Sequence, residues 1–419
     1  MSIAIVGMLD EREEALGIIR ECIERRGHRT CLIDISVGSG AIVSRLKADV
    51  SCGELIALAA ERVENPAGRK SSATSIMAEG LRAKVAALHE SGELQGIIAI
   101  TGMTGALISL PAMTELPFGI PKLLISGATA QPAHSSQFGA FFSLRDITVM
   151  HTVVDTVGMN ALVRRLAVNG ANAICGMVEG DGSSLAAEKP SVAITEFGFC
   201  EKGAHFIREI LEKDYELVSF HATGIGDTGA MDLVPRGVFN AFIDLVPGSF
   251  SDHLLGGNRG IAGPGRLELA AKLRSPYIFC PGGFDIISCG PPERKDANDP
   301  LWVSRRLAER KLYIHPPRAQ ARMNAGETEL VAKATAEKLN GYECKERVKV
   351  VIPLRGFSSL SAEGCPLHDP DTDRVFPEAL KGSLDPAIGV VEVDTDINSP
   401  AFARAVADAL QQAFEALKE

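Results

Sequence analysis

Nearly uninterrupted apolar runs alternate with helical patterns along the whole chain, and this alternation restricts the fold more than any other feature. Such runs occur at 2–8, 93–100 and 348–354, and each is bounded by turn or helix signals. Strands that are apolar on both faces are typical of parallel sheets covered by helices on both sides. The sequence therefore predicts an α/β protein built from Rossmann-like, doubly wound parallel sheets.

One strand–helix–strand pattern occurs twice, at 2–36 and again at 190–223. A chain of 419 residues is also longer than one ordinary hydrophobic core requires. We therefore predict two Rossmann-like subdomains, 1–183 and 190–419, joined by a Gly-, Ser- and Glu-containing segment, with a cleft between them. Chance similarity of two unrelated strand–helix–strand units is the alternative.

A G-x-G-x-x-G pattern follows the apolar run that ends at His221: Gly224, Gly226 and Gly229, with Thr223 just before them. Glycines at this spacing let a backbone approach a phosphate, and the N–H groups of the next helix then face the anion. An acidic residue, Asp244, comes 20 residues after Gly224 and is a candidate to hold a ribose hydroxyl. We predict a phosphate-binding loop for a mononucleotide or phosphorylated metabolite. The helical connection from this loop to the next predicted strand is short, which argues against a nicotinamide site. A glycine-rich turn without a ligand is the alternative.

A second loop of this kind lies in the first half, where Thr101, Gly102, Thr104 and Gly105 follow the run at 93–100. It is a candidate anion site with two hydroxyl donors, although a purely structural turn explains it equally well. The G-x-x-x-x-G-K-[ST] pattern is absent from the sequence, which argues against a Walker-type ATPase.

Three further residues at predicted strand ends are candidates for chemistry. His221 is a candidate acid, base or phosphate donor, and Asp285, in PGGFD, is a candidate acid–base partner. Arg355, in RGFSS, is a candidate clamp for a phosphate or carboxylate. The alternatives are a simply hydrogen-bonded histidine, an aspartate that caps a turn, and an arginine paired with a surface carboxylate.

Composition excludes several classes of protein. The net charge of −10 argues against a nucleic-acid partner, and nine cysteines without a C-x-x-C pair predict neither a disulfide framework nor a zinc site. The acidic segment 368–373 begins like a calcium loop, but Arg374 stands where glycine is required, so we predict a helix-capping turn and no metal site. No signal peptide or membrane-spanning run is evident, so we expect a cytoplasmic protein without a membrane partner.

Taken together, several motifs resemble an uncharacterised bacterial and plant family that contains the amino-terminal, ATP-binding domain of the tomato mosaic virus resistance protein. The resemblance extends over nearly the whole chain and rests on the segments IAIVGMLDE (3–11), 146–160, 220–226, 353–360 and 391–403. It implies two Rossmann-like subdomains, a homodimer or higher homo-oligomer, and binding of ATP or another nucleotide. The positions most typical of the family are Asp155, Gly158, Asn160, His221, Ala222, Thr223, Gly224, Arg355, Gly356, Asp394, Asp396 and Asn398.

The resemblance also marks Asp227 as unusual, because family members usually have glycine there. A carboxylate in a phosphate-binding loop is unfavourable unless a cation offsets it. Our main hypothesis is that a nucleotide or phosphorylated metabolite binds in the cleft at 223–229, with Arg355 as a clamp on the charge of its phosphate. The competing hypothesis is an enzyme that acts on a small phosphorylated or carboxylated sugar acid through His221 and an aspartate. An interaction module without small-molecule chemistry is the third.

Overall fold

The chain forms two compact units, Met1–Leu185 and Ala186–Glu419. The structure is a computed structural model, and it describes residues 2–38, 43–62, 72–180, 189–268 and 274–417. Both units are α/β, as predicted, and each has a parallel sheet flanked by helices. All nine cysteines are free.

The N-terminal unit contains a five-stranded sheet with the strand order β2-β1-β3-β4-β5, and all neighbouring strands are parallel. Its strands are β1 (Ser2–Gly7), β2 (Arg29–Asp34), β3 (Leu94–Thr101), β4 (Lys122–Ser126) and β5 (Thr148–His151). Its helices are α1 (Leu9–Arg25), α2 (Cys52–Arg62), α3 (Ala73–Glu90), α4 (Met103–Glu115), α5 (Ser135–Phe142) and α6 (Ala161–Glu179).

The apolar strands are buried on both faces, which explains why they lack a polar alternation. Ile3 and Ile5 pack on one face of the sheet with residues of α1 and α6, while Ala4 and Val6 pack on the other with residues of α3 and α4. Because successive side chains of a strand point to opposite faces, both layers of helices are needed to cover the sheet.

The C-terminal unit contains a six-stranded parallel sheet with the order β14-β13-β9-β8-β6-β7. Its strands are β6 (Ser191–Glu196), β7 (Glu216–His221), β8 (Ala241–Asp244), β9 (Tyr277–Phe279), β13 (Val348–Pro353) and β14 (Gly389–Val393). The helices of this unit are α7 (Glu201–Leu211), α8 (Ile225–Leu233), α9 (Gly248–Leu255), α10 (Pro300–Ser304), α11 (Ala325–Asn340), α12 (Pro370–Lys381) and α13 (Pro400–Glu415).

A small antiparallel sheet lies in the same unit and was not predicted from the sequence. It consists of β10 (Ile286–Ser288), β11 (Leu312–His315) and β12 (Arg318–Arg322), in the order β10-β12-β11. These strands are three to five residues long, so they are too short to show a clear hydrophobic period.

Both parallel sheets reverse their strand order at one point. In the N-terminal unit β2 and β3 lie on opposite sides of β1, and in the C-terminal unit β7 and β8 lie on opposite sides of β6. Ligands of open α/β sheets bind beyond the carboxyl ends of the strands at such a switch point. The candidate ligand sites of this fold are therefore at the loops after β1 and β3, and at those after β6 and β8.

Candidate functional site

The loops after β1 and β3 surround a buried arginine, Arg12, at the N-terminal end of α1. Only 4% of its surface is exposed. Its Nε donates a hydrogen bond to Thr156 Oγ1 at 2.8 Å, and its Nη1 donates to the neighbouring Glu11. Its Nη2 lies 3.6 Å from Asp155 Oδ1, and a Cβ placed on Gly102 would lie 3.0 Å from that nitrogen. Glycine at 102 therefore lets the β3–α4 loop approach the guanidinium.

Two adjacent cavities open at this switch point. One has a volume of about 330 Å³ and is lined by residues from the β1–α1 and β3–α4 loops, Arg12 among them. The other has about 220 Å³ and extends toward the loops after β4 and β5. Gly102, Met103 and Asp155 line both cavities. Val37 and Gly38, which follow β2, also line the first cavity, so loops from all five strands contribute to one region of the N-terminal unit.

Unpartnered polar groups border these cavities. The hydroxyl of Thr101 is buried and has no hydrogen-bond partner among the described residues, and the same is true of Asp10 Oδ1. The helix α4 begins at Met103 after Gly102, which provides no side-chain cap, and its first turn contains no acidic residue. Its first N–H groups are therefore available to an acceptor. Gly102, Thr104 and Gly105 of the predicted anion loop line the larger of these two cavities, and Thr101 lines the smaller one.

Asp34, at the end of β2, holds this region in place rather than facing a ligand. Its Oδ1 accepts hydrogen bonds from Leu9 N at 3.2 Å and from Ser36 N at 3.0 Å. The β1–α1 loop is thereby tied to the end of the neighbouring strand. Asp10, Glu11 and Asp155 remain around Arg12, so the region carries more negative than positive charge.

The loop 223–229 differs from our prediction, because its glycines serve internal packing. A Cβ on Gly226 would lie 2.2 Å from the carbonyl oxygen of His221, and a Cβ on Gly224 would lie 2.7 Å from that of Arg259. Gly224 also has a φ of +92°, which favours glycine. Its N–H donates to Asp227 Oδ2 at 2.8 Å. Asp227 thus caps α8 where a phosphate was expected.

Asp244 is likewise committed to the interior, because it is fully buried and donors of the chain itself occupy both of its carboxylate oxygens. Arg266 donates to both of its oxygens, at 2.8 and 2.6 Å, and Tyr277 and Thr195 donate to them as well. The Nε of Arg266 donates to Asp227 Oδ1 at 2.7 Å. Although burial opposes it, the charges of Asp244 and Asp227 raise the pKa of Arg266. Arg266 is therefore the cation that offsets the unusual Asp227.

Arg355 and Asp285 also have protein partners. Arg355 donates to both oxygens of Asp394, each at 2.7 Å, and this exposed pair is the alternative that the sequence had left open. Its hydrogen bond with Arg355 lowers the pKa of Asp394. Asp285 is 1% exposed and accepts from the hydroxyl of Ser358, with Arg322 Nη1 3.8 Å away.

His221 is exposed at the end of β7. Its ring lies 5.5 Å from that of Phe197, and its Nδ1 lies 3.4 Å from Thr223 Oγ1. In the described part of the chain, no hydrogen bond or ion pair joins His221 to Asp285. The predicted acid–base pair is therefore not formed in this structure.

Sequence reasoning missed three buried arginines: Arg12, Arg259 and Arg266. None of them belongs to a local sequence pattern, because it is the folded chain that brings each arginine into contact with carboxylates and glycines. The one available signal was that Arg259 and Arg266 lie within a glycine-rich stretch, GGNRGIAGPGR, after the apolar run that contains β8.

Other features of the described residues do not point to a site. A cavity of about 490 Å³ lies along the start of α6 and is lined mostly by exposed side chains, including Arg164 and Arg165. Within the ranges that the structure describes, no group of three or more His, Cys, Asp or Glu side chains is arranged to hold a metal ion. Nor does any helix in those ranges have the length and apolarity needed to cross a membrane. Asp369 caps α12 by accepting from Thr372 N at 3.3 Å, which confirms the predicted acidic turn.

Comparison with known proteins identifies the family. The profile of the Uncharacterised protein family (UPF0261) N-terminal domain matches residues 1–183, and that of the C-terminal domain matches 189–414. The chain belongs to the UPF0261 family. A UPF0261 protein of Clostridium tetani is 31% identical over 413 residues, which cover 97% of this chain and 98% of the relative.

Two other similarities are more distant. The tomato mosaic virus resistance protein Tm-1(GCR237) of Solanum lycopersicum is 28% identical over 344 residues, covering 80% of this UPF0261 chain and 44% of the tomato protein. The resemblance to a family with a plant resistance protein is thus confirmed. A UDP-N-acetylglucosamine 2-epimerase structure from Rickettsia bellii matches 66% of this chain and 78% of its own at 9% identity, with a TM-score of 0.22. That score is too low to support an argument about function.

Proposed function

We propose that the N-terminal unit binds a nucleotide, with ATP as the first candidate, or another phosphorylated sugar, at the switch point between β1 and β3. The observation that carries the proposal is the buried guanidinium of Arg12, which lines a cavity of about 330 Å³ beside the uncapped start of α4. The site is in the N-terminal unit, so it replaces the loop 223–229 as the candidate for phosphate.

The donors at this place suit a phosphate. Arg12 Nη2 faces Gly102, and the first N–H groups of α4 have no acidic side chain to accept their hydrogen bonds. A helix N-terminus with an adjacent arginine favours a bound anion through both its dipole and its hydrogen bonds. The unpartnered hydroxyl of Thr101 adds a further donor.

The acceptors at the same place suit the rest of a nucleotide. Asp10 Oδ1 has no partner among the described residues and can accept a hydrogen bond from a sugar hydroxyl. Asp155, whose side chain is 77% exposed, lines both cavities. The excess of carboxylates would repel a free polyphosphate, so we expect a polyphosphate to bind together with a divalent cation. Cavities of this size also suit a small ligand better than a macromolecule.

Calorimetric titration of the full chain with ATP, ADP, AMP and ribose 5-phosphate, each with and without Mg²⁺, tests the proposal. Thr101→Val removes a hydroxyl that has no partner to lose, so we expect normal folding and a dissociation constant raised roughly tenfold. Arg12→Lys keeps the charge but loses the planar fork, so we expect a larger loss of affinity.

Arg355→Ala is the matched control. Arg355 is exposed, and both it and its partner Asp394 belong to the C-terminal unit. We expect it to bind the same ligands with unchanged affinity. Binding that survives Arg12→Lys and Thr101→Val but is lost in Arg355→Ala would contradict the proposal and favour the C-terminal unit. Failure of every phosphorylated ligand to bind would also refute it.

A further inference from the structure

A second buried arginine, Arg259, stands at the switch point of the C-terminal unit. It is 5% exposed. Its Nε donates to Asp252 Oδ2 at 2.8 Å, and its backbone N–H donates to the same oxygen at 3.2 Å. Asp252 is fully buried, and its Oδ1 accepts from Ser288 N at 3.1 Å. The Nε side of the guanidinium is therefore held by Asp252, which fixes the direction in which Nη1 and Nη2 point.

The two remaining nitrogens of Arg259, Nη1 and Nη2, are buried and have no hydrogen-bond partner among the described residues. A Cβ on Gly248 would lie 2.8 Å from Nη1 and 3.2 Å from Nη2, and one on Gly283 would lie 3.5 Å from Nη1. The centres of the Phe197 and Phe199 rings lie 5.6 and 5.4 Å from Cζ. A buried donor without a partner is costly, so a pair of them in one side chain calls for an acceptor.

The free edge of Arg259 meets the start of a helix. Gly248 is the first residue of α9, and Pro247 before it offers no side-chain cap. The next residue, Ser249, is fully buried, and its hydroxyl also lacks a partner in the described part of the chain. Every unpartnered group of this cluster is a donor, or in the hydroxyl's case can act as one. The strands β6 and β8, after which these residues lie, form the switch point of the sheet.

We propose that Arg259 and the start of α9 bind the carboxylate of a small monoanionic organic acid, a site separate from the nucleotide site of the N-terminal unit. The planar fork of Nη1 and Nη2 matches the two oxygens of a carboxylate. Asp252 already balances the charge of Arg259, which favours a monoanion over a phosphate dianion. The flanking rings of Phe197 and Phe199 also suit a flat group. Phe197 is half-buried beside the exposed His221, so it marks the side from which the acid enters.

Unfolding of the full chain, followed by fluorescence of its single tryptophan, Trp302, tests the proposal with acetate, glycolate and inorganic phosphate. Trp302 is in the same unit as Arg259 and is buried. Acetate or glycolate should raise the unfolding midpoint saturably, beyond the effect of chloride at equal ionic strength. The concentration dependence gives an apparent dissociation constant.

Two serines of α9 form a matched pair. Ser249→Ala removes an unpartnered hydroxyl, so we expect an unchanged or higher midpoint without ligand and a dissociation constant raised roughly tenfold. Ser251 Oγ donates to Gly248 O at 3.0 Å, so Ser251→Ala should lower the midpoint without ligand and leave the dissociation constant unchanged. Arg259→Lys should abolish the saturable effect.

Three results would overturn the proposal: no saturable effect of either carboxylate, stabilisation by inorganic phosphate alone, or unchanged binding in Ser249→Ala. The nucleotide proposal stands or falls separately. Arg12→Lys should leave the effect of glycolate intact, because Arg12 belongs to the N-terminal unit.

Discussion

Replacing Arg266 by methionine should destabilise the C-terminal unit strongly. Arg266 is 2% exposed and makes three hydrogen bonds of 2.6–2.8 Å to Asp227 and Asp244, both of which are fully buried. Methionine fills much of the same volume, so the main effect is the loss of the cation. Two buried carboxylates then remain, with Gly224 N, Tyr277 and Thr195 as donors but no positive charge.

The magnitude follows from the cost of removing one partner of a buried ion pair, about 3–5 kcal/mol. A typical domain is stable by only about 5–15 kcal/mol, so the variant should keep a folded but weakened C-terminal unit. With a urea dependence of about 2–3 kcal/mol per molar, the unfolding midpoint should fall by about 1–2.5 M.

The fluorescence of Trp302 gives an assay specific to this unit, because the chain has no other tryptophan. Trp302 is buried, and its Nε1 donates to the carbonyl of Cys289 at 2.9 Å, so its emission should change on unfolding. Circular dichroism follows both units and reports whether the N-terminal unit keeps its own transition. Arg274→Ala is the control. The side chain of Arg274 is 82% exposed, so this substitution should leave the unfolding midpoint unchanged.

The loss in Arg266→Met should also depend on pH. A buried carboxylate without a cation can lower its cost by taking up a proton, so the destabilisation should be smaller at pH 5 than at pH 8. The slope can reach about 1.4 kcal/mol per pH unit for each proton taken up. A loss below about 1 kcal/mol that is constant with pH would refute the view that Arg266 balances these charges.

Two further predictions concern the C-terminal unit, and a third concerns the N-terminal unit. Burial, against the opposing charge of Arg322, raises the pKa of Asp373 from 3.8 to about 6, so the folded state binds its proton more tightly than the unfolded state. The contribution of this proton to the free energy of unfolding is greatest below about pH 4 and falls by up to about 3 kcal/mol as the pH rises to about 6. In urea titrations between pH 4 and 7, Asp373→Asn should show a smaller decline of the free energy of unfolding with pH. Gly226→Ala should cost about 1–3 kcal/mol or more in the Trp302 transition, since its Cβ would lie 2.2 Å from the His221 carbonyl oxygen. In contrast, Gly176→Ala, in exposed helix with no atom within 4 Å, should stabilise the N-terminal unit by about 0.5–1 kcal/mol, as measured by circular dichroism; a loss there would contradict the steric account.

The sequence was sufficient to predict the fold because the signal for it is local. Apolar runs such as 2–8 and 348–354 became strands of parallel sheets, and the repeated strand–helix–strand pattern became β1-α1-β2 and β6-α7-β7. The antiparallel sheet of β10, β11 and β12 was missed, since its strands are too short to carry a period.

The candidate site was only partly predictable, because its decisive contacts join distant residues. In the sequence, Asp227 is an unfavourable charge in a phosphate loop. Its compensating cation, Arg266, lies 39 positions later and reaches it only in the folded chain. Asp244 has the right spacing for a ribose but is held by the same arginine. Arg12 carries no motif, and its importance arises only where β3 brings Gly102 against it.

The two glycine loops differ in whether a carboxylate of the chain already occupies the start of the helix that follows. Both follow a parallel strand and open a helix, at 101–105 and at 223–229. At the second, Asp227 accepts a hydrogen bond from Gly224 N, so the helix start is already bound to a carboxylate of the chain itself. At the first, α4 has no side-chain cap and no acid in its first turn, and an arginine lies beside it. An anion from solution would have to displace a covalently tethered competitor at α8, whereas at α4 no such competitor is present in the described residues. The same reasoning applies to α9, where the start of the helix faces the free edge of Arg259 instead of a carboxylate.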